Sequence, residues 1–301
     1  MKPWHRLVIA VIVLAAIVGY LNWPRKAAAV AAAPALVKFS SNDVHSLGIQ
    51  QPGQPEVLLS KAGSDWKLTQ PYAYAADGPT VSSLLDALAD ITGAQDVGAV
   101  KDPAAFGLDH PSVVTLGMAN GSALELDFGS DTPTGGNSYL RLGATGAVKI
   151  VSSDVKSSAL KSAFLLQDKA IVHYPAGQLA SLDVISGGKH AHFDRADNAW
   201  PKDQQANIQS LLDALQDGQM TAMPDAVGKD AAADGLAKPA IAVSLVWKGG
   251  AIQLDIGAKK GAGEYYARNS SSPAIFTLSD YLITDINALF TAPPAVTGVK
   301  K

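Results

Sequence analysis

Ser83-Leu84-Leu85-Asp86-Ala87-Leu88 and Ser210-Leu211-Leu212-Asp213-Ala214-Leu215 are the same six residues, 127 positions apart. The match continues downstream. Gly107-Leu108-x-x-Pro111 returns as Gly235-Leu236-x-x-Pro239, Leu126-Asp127-Phe128-Gly129 as Leu254-Asp255-Ile256-Gly257, and Tyr139-Leu140-Arg141 as Tyr266-Ala267-Arg268. Ordered matches at one nearly constant spacing mark an internal duplication, and this sets the architecture before any single element is assigned.

In the first copy, Val37-Lys38-Phe39 alternates as a strand does. Residues 57–59 and 66–68, joined across Ala62-Gly63-Ser64-Asp65, predict a hairpin. Pro79 suits a first helical residue, and Val81, Leu84, Leu85 and Leu88 recur at helical spacing. Asp102-Pro103 opens a short helical turn that Gly107 ends in a left-handed conformation. Strands follow at 113–118, 123–128, 138–142 and 148–151, with Asn120-Gly121 predicting a type I′ turn between the first two. Ser153-Asp154 then caps a helix expected to run to about Phe164.

The second copy repeats the order. Leu179, Leu182 and Val184 answer Val44, Leu47 and Ile49; Gly187-Gly188 turns a hairpin; Trp200 stands for Trp66. Strands are expected at 241–247 and 251–256, joined across Gly249-Gly250, and at 265–268 and 275–277, before a helix from Ser279-Asp280 to Leu289-Phe290. Short turns between neighbouring strands force antiparallel pairing. The expected class is therefore α+β, as tandem duplicated units of antiparallel sheet with packed helices, preceded by a single N-terminal transmembrane helix. The expected division is an anchor at 1–26, a linker at 27–35, repeats at 36–168 and 169–290, and a flexible tail at 291–301.

That anchor rests on Leu7 to Trp23, an apolar run without charge flanked by His5-Arg6 and Arg25-Lys26. At 1.5 Å per residue it just spans a hydrocarbon core of about 30 Å. The competing reading is a signal-peptide core cut within Ala27 to Ala33; the length of the run and the two cations after it favour the anchor. Lys2, Arg6, Arg25 and Lys26 leave 20 basic against 27 acidic side chains in the remainder. That net negative balance argues against nucleic acid, whose binding needs an excess of Lys and Arg. The chain contains no cysteine, so neither a disulfide nor a lipid-attachment thiol is available.

The succession of Trp66, Leu84-Leu85-x-x-Leu88, Gly107-Leu108-Asp109-His110-Pro111, Gly129 and Tyr139-x-Arg141, with its second copy, resembles the bacterial family called domain of unknown function 4340. The resemblance covers nearly all of 36–290 in two tandem copies. It implies an envelope-facing accessory protein at the cytoplasmic membrane, with a protein partner in transport systems of the gliding-motility ABC type. It brings no catalytic residues and no cofactor.

Other residues are candidates for chemistry. His190-x-His192 sets two imidazoles on one strand face, a start for a metal site if His173, Asp194 and Asp197 converge on it; an ordinary exposed strand is the simpler expectation. Thr132-Pro133-Thr134-Gly135-Gly136-Asn137 lacks the Lys-Ser/Thr of a phosphate loop and reads as a hairpin loop. No G-x-S-x-G elbow is present. Asp127 and Asp255 hold matching strand positions and read as polar-face residues. Tyr139 with Arg141 and Tyr266 with Arg268 form the candidate interaction surface, because both residue types favour binding hot spots; the alternative is that each Arg pairs with an acid of its own sheet. Two function classes follow: a non-enzymatic, membrane-tethered accessory or binding module, and an envelope-acting hydrolase or metal-binding enzyme using His190, His192 and nearby acids.

Overall fold

A computed structural model describes residues 35–291, apart from 93 and 99. The expected anchor, and most of the expected linker and tail, lie outside the described residues. Two antiparallel sheets carry the chain. The first contains β1 (Val44–Gln50), β2 (Val57–Ala62), β3 (Asp65–Gln70), β4 (Tyr74–Ala75), β5 (Gln95–Gly98), β6 (Ser112–Met118), β7 (Ala123–Asp131), β8 (Asn137–Leu142) and β9 (Val148–Ser152). Their order across the sheet is β4-β3-β2-β1-β6-β7-β8-β9-β5. The second contains β10 (Leu179–Ser186), β11 (Lys189–Asp194), β12 (Ala222–Asp225), β13 (Ile241–Trp247), β14 (Gly250–Gly261), β15 (Glu264–Asn269) and β16 (Ile275–Ser279), in the order β11-β10-β13-β14-β15-β16-β12.

Matching β2 to β11, β1 to β10, and β6 through β9 to β13 through β16 leaves β5 facing β12 at the far edge. The two orders then coincide, and only β3 and β4 are extra in the first sheet. Register agrees as well. Leu47 sits opposite Leu116 and Ile49 opposite Val114, as Leu182 sits opposite Leu245 and Val184 opposite Val243. Both ladders carry a bulge at the same place, between Val44 and Ser46 and between Leu179 and Ser181. The extra residue turns the step from Val44 to Leu47 into one of three, so both side chains reach the core.

Each sheet is covered by an amphipathic helix. On α1 (Gly78–Ala89), Val81, Leu84, Leu85 and Leu88 are buried, and Asp77 caps the first turn by accepting from the Thr80 amide. On α4 (Gln205–Asp217), Ile208, Leu211, Leu212 and Leu215 take the same role. Each leucine stripe joins the inward residues of its own sheet in one core, with Leu47, Leu116 and Phe128 in the first and Leu182, Leu245 and Ile256 in the second.

Several expectations are corrected. Val37-Lys38-Phe39 joins no strand, because β2 and β6 already occupy both edges of β1; the segment is held instead by the Leu36 amide donating to the Ile91 carbonyl at 2.7 Å. The turn at Asn120-Gly121 is not type I′, since only Gly121 has positive φ. The Gly121 amide donates to the Met118 carbonyl at 3.0 Å and the Met118 amide to the Ser122 carbonyl at 2.8 Å, the three-residue loop with a left-handed glycine. The helix after β9 breaks into α2 (Ser153–Ala159) and α3 (Ala163–Leu166), where the Ser162 hydroxyl caps the second piece at the Leu165 amide; a short polar side chain bonding locally competes with helix continuation. In the second copy, β14 starts at Gly250 directly opposite Trp247, so Lys248-Gly249 forms the turn. α5 (Tyr281–Ala288) closes the second unit.

Between α3 and β10 the chain is bonded first to one unit and then to the other. Gln167 bridges to Ala76 and Ala170 bridges to Gln219. The Asp168 amide donates to Ala75 at 2.9 Å and the Ile171 amide to Gly218 at 3.1 Å. Gln167 is fully buried. Its Oε1 accepts from the Tyr72 hydroxyl at 2.6 Å while its Nε2 reaches Met220 Sδ at 3.0 Å.

Candidate functional site

The residues repeated in both copies assemble into one device per unit. In the first, a 3₁₀ turn (Pro103–Phe106), capped by Asp102, ends at Gly107 with φ of 65°. The loop then lies directly on β7. A Cβ on Gly129 would sit 2.2 Å from the Phe106 carbonyl oxygen, and one on Gly107 would sit 2.8 Å from the Ser130 nitrogen. Leu108 points inward and is buried. The second unit reproduces this, with 2.2 Å from Gly257 to the Asp234 carbonyl oxygen and 2.8 Å from Gly235 to the Ala258 nitrogen. Only glycine permits both approaches.

The arginines lock the loop in place. Arg141 on β8 lies directly opposite Asp127 on β7. Its Nε and Nη2 donate to Asp127 Oδ2 at 3.1 and 2.7 Å, and Nη2 also reaches the Leu108 carbonyl at 3.5 Å. Arg268 lies opposite Asp255 in the same way, bonding to its Oδ2 at 3.1 Å and to the Leu236 carbonyl at 3.4 Å. Asp127 is not the polar-face residue its alternation suggested. The loop covers it, and its Oδ1 is buried with no hydrogen-bond partner among the described residues. The pair at Asp255 is more open, with the Arg268 side chain 33% exposed against 13% for Arg141.

Tyr139 shares the face of Arg141 and meets the same loop, its ring edge-on to Phe106 at 4.8 Å. Asp234 takes the place of Phe106 in the second copy, and there Lys260 lies 5.9 Å from the Tyr266 ring. Burial raises the Asp234 pKa, the Asp230 and Asp225 charges add to the rise, and Lys260 opposes it. Trp66 and Trp200 are both buried, each beneath a cation at 5.9 Å, Lys61 and Arg195 respectively.

His190 and His192 converge on an acid that sequence spacing did not single out. Asp183, opposite His192 on β10, has its Oδ1 3.1 Å from His190 Nε2 and 2.8 Å from His192 Nδ1. His192 Nε2 also lies 3.2 Å from Asp194. Burial pushes the Asp183 pKa up, but hydrogen bonds from His192 and then His190 outweigh it and the net shift is down. The hydrogen bond to Asp183 raises the His192 pKa. His173 does not join them; it pairs with Asp168 at 2.5 Å. Among the described residues, no group of three or more His, Asp or Glu side chains is arranged to hold a metal. Residues 132–137 form the β7–β8 hairpin loop, closed by the Thr132 amide on the Asn137 carbonyl at 2.8 Å.

Several clefts open among the described residues. One of about 540 Å³ lies where the units meet, lined by Asp77, Asp168, Lys169, Gln216 and Asp217. Another of about 530 Å³ is lined by Val37, Phe39, Met118 and Leu124. A smaller one of about 230 Å³ touches Arg141, Leu108 and Val148.

A family model described as domain of unknown function (DUF4340) matches the chain over residues 66–209 and again over 196–292. No curated protein and no solved structure matches it.

Proposed function

We propose that this chain, which belongs to the DUF4340 family, is a non-enzymatic accessory or binding protein of the cell envelope. In this reading the Leu7 to Trp23 run holds it in the cytoplasmic membrane as a single span, and both units face the periplasmic side. Its partner is a protein of an ABC-type, gliding-motility-like transport system. The observation that carries the reading is the use made of the duplicated signature. In each copy the Gly-Leu loop, the Asp-x-Gly strand and the Tyr-x-Arg strand bind one another, with each Arg bonded to its own Asp and its own loop carbonyl. Repeated residues committed to holding a scaffold support a presenting role for the rest of its surface.

The test is affinity purification of the full chain from native membranes, with the co-purifying proteins identified. ABC transporter subunits in stoichiometric amount are the expected result. Recovery of the chain alone, or its release from membranes by carbonate washing, overturns the reading.

A further inference from the structure

Arg268 and Arg141 hold the same place in their units but use their donors differently. Arg141 turns both Nε and Nη2 onto Asp127, and its side chain is 13% exposed. Arg268 gives only Nη2, to Asp255 and to the Leu236 carbonyl, and its side chain is 33% exposed. Among the described residues its Nε and Nη1 have no partner. The residue two before each aspartate separates the two cases. Gln253 donates from Nε2 to Asp255 Oδ1 at 2.6 Å, so both oxygens of Asp255 have a donor. Glu125 stands at that place in the first unit, and a carboxylate there has nothing to donate. Asp127 is left to its arginine, which closes onto it.

Arg268 also faces a different surface. With Gln253, Asp255 and the β15–β16 turn at Ser270-Ser271-Ser272, it lines a cleft of about 440 Å³. The cleft beside Arg141 is about 230 Å³, and the turn lining it is Ala144-Thr145-Gly146-Ala147. In the larger cleft the acceptors already have donors. Asp255 is bonded at both oxygens, and Asn269 Oδ1 accepts from the Ser271 amide and hydroxyl at 3.1 and 2.6 Å. Donors are left over. The Ser270 and Ser272 hydroxyls accept from the Gln253 and Ala274 amides at 3.0 and 3.2 Å. Their own hydrogens remain to be given, as do those of Arg268 Nε and Nη1.

We infer that this cleft is a binding site for a carboxylate group, with Arg268 as its anchor. A site with spare donors needs a ligand that accepts, and a guanidinium matches the planar pair of oxygens that a carboxylate offers. Asp255 beside it opposes further negative charge, which favours a singly charged carboxylate over a doubly charged phosphate. The carboxylate has two sources. Under the function proposed above it is an Asp or Glu side chain of the partner protein, an assignment that rests on that reading; a free sugar acid is the other.

Arg6, Arg25, Arg141, Arg195 and Arg268 are the only arginines in the chain, so their side-chain N–H signals can be told apart by nuclear magnetic resonance. The sample is the full-length, detergent-purified protein with isotope-labelled arginine. Glutamate blocked at both ends is expected to shift the Arg268 signal saturably and to leave Arg141 unmoved. Blocked glutamine, of the same shape without the charge, is expected to shift neither. Gln253→Glu copies the first unit and is expected to weaken the binding at least about tenfold with an unchanged circular dichroism spectrum. Should that variant misfold, Arg268→Lys, which replaces the fork by a point charge, is expected to weaken it in the same direction. A second titration uses glucuronate, and the tighter of the two acids names the source. No saturable shift at Arg268 with either acid overturns the inference. So does a shift that blocked glutamine reproduces, or one that Gln253→Glu and Arg268→Lys both leave intact. Affinity purification without a partner, beside a saturable titration, removes the accessory reading and keeps the site.

Discussion

Arg141 places both Nε and Nη2 on a single oxygen of Asp127, at 3.1 and 2.7 Å, and leaves the other oxygen of that carboxylate buried with no partner among the described residues. Removing the arginine strands a buried charge, which typically costs about 3–5 kcal/mol. Arg141→Met is expected to destabilise by that amount in urea unfolding. Arg268→Met, at the more exposed pair, should cost about 1–2 kcal/mol. Replacing Asp127 with Leu in the Arg141→Met background should recover part of the loss.

The loop seat offers a second measurement. Neither Gly129 nor Gly257 has positive φ, so an added methyl acts through space alone. It would meet a carbonyl oxygen at 2.2 Å in both cases. Gly129→Ala and Gly257→Ala should each lower stability by about 1–3 kcal/mol. Gly261→Ala, with nothing near its Cβ, should stay within about 0.5 kcal/mol. Thermal unfolding of the three variants distinguishes them.

The helix stripes should answer each other. Leu85 and Leu212 are 1% and 6% exposed and belong to separate cores. Truncation of either to Ala is expected to cost about 2–5 kcal/mol. Equal losses in denaturant unfolding fit matched cores, whereas a cost under about 1 kcal/mol at one site would mean that the stripes are not equivalent.

The pH dependence of the Asp183–His192 contact has a definite sign. A histidine with a raised pKa stabilises below its unfolded value of 6.5, and that contribution fades as pH climbs through the raised value. A carboxylate with a lowered pKa stabilises above its unfolded value of 3.8 and fades as pH falls through the lowered one. The contact should therefore count most between 3.8 and 6.5. Nuclear magnetic resonance titration of the His192 ring should give a pKa above the ordinary value, and Asp183→Asn should bring it down.

How far the sequence could be read depended on whether a residue's role was periodic or a matter of chain crossing. Alternation in β6 and β13 and the turn signals that bound the other strands let the sequence predict β6 to β9 and β13 to β16 closely. β5 and β12 were not. Gln95-Asp96-Val97-Gly98 has no alternation and Ala222-Met223-Pro224-Asp225 contains a proline, yet each needs to bond along one side only at a sheet edge. Asp127 alternates as a solvent-facing residue would, and only the loop laid over it makes it buried. The signal was present in the co-repetition of Asp-x-Gly, Gly-Leu and Tyr-x-Arg, three fragments far apart in sequence that recur together because they touch. Gln167 gave no such signal: it belongs to no repeated fragment, and its partners Tyr72 and Met220 come from distant segments. Asp183 is not repeated either, since Gly48 stands at its place in the first copy, but its histidine partners lie seven and nine residues on, across the Gly187-Gly188 hairpin.

The connector from Gln167 to Ile171 has a mechanical consequence. Main-chain bonds tie it to the first unit at Ala75 and Ala76 and to the second at Gly218 and Gln219, so it holds no slack to pay out. A pull that separates the units must first break one of these two sets of bonds. Until one set gives way, the connector carries tension from one sheet to the other without paying out chain.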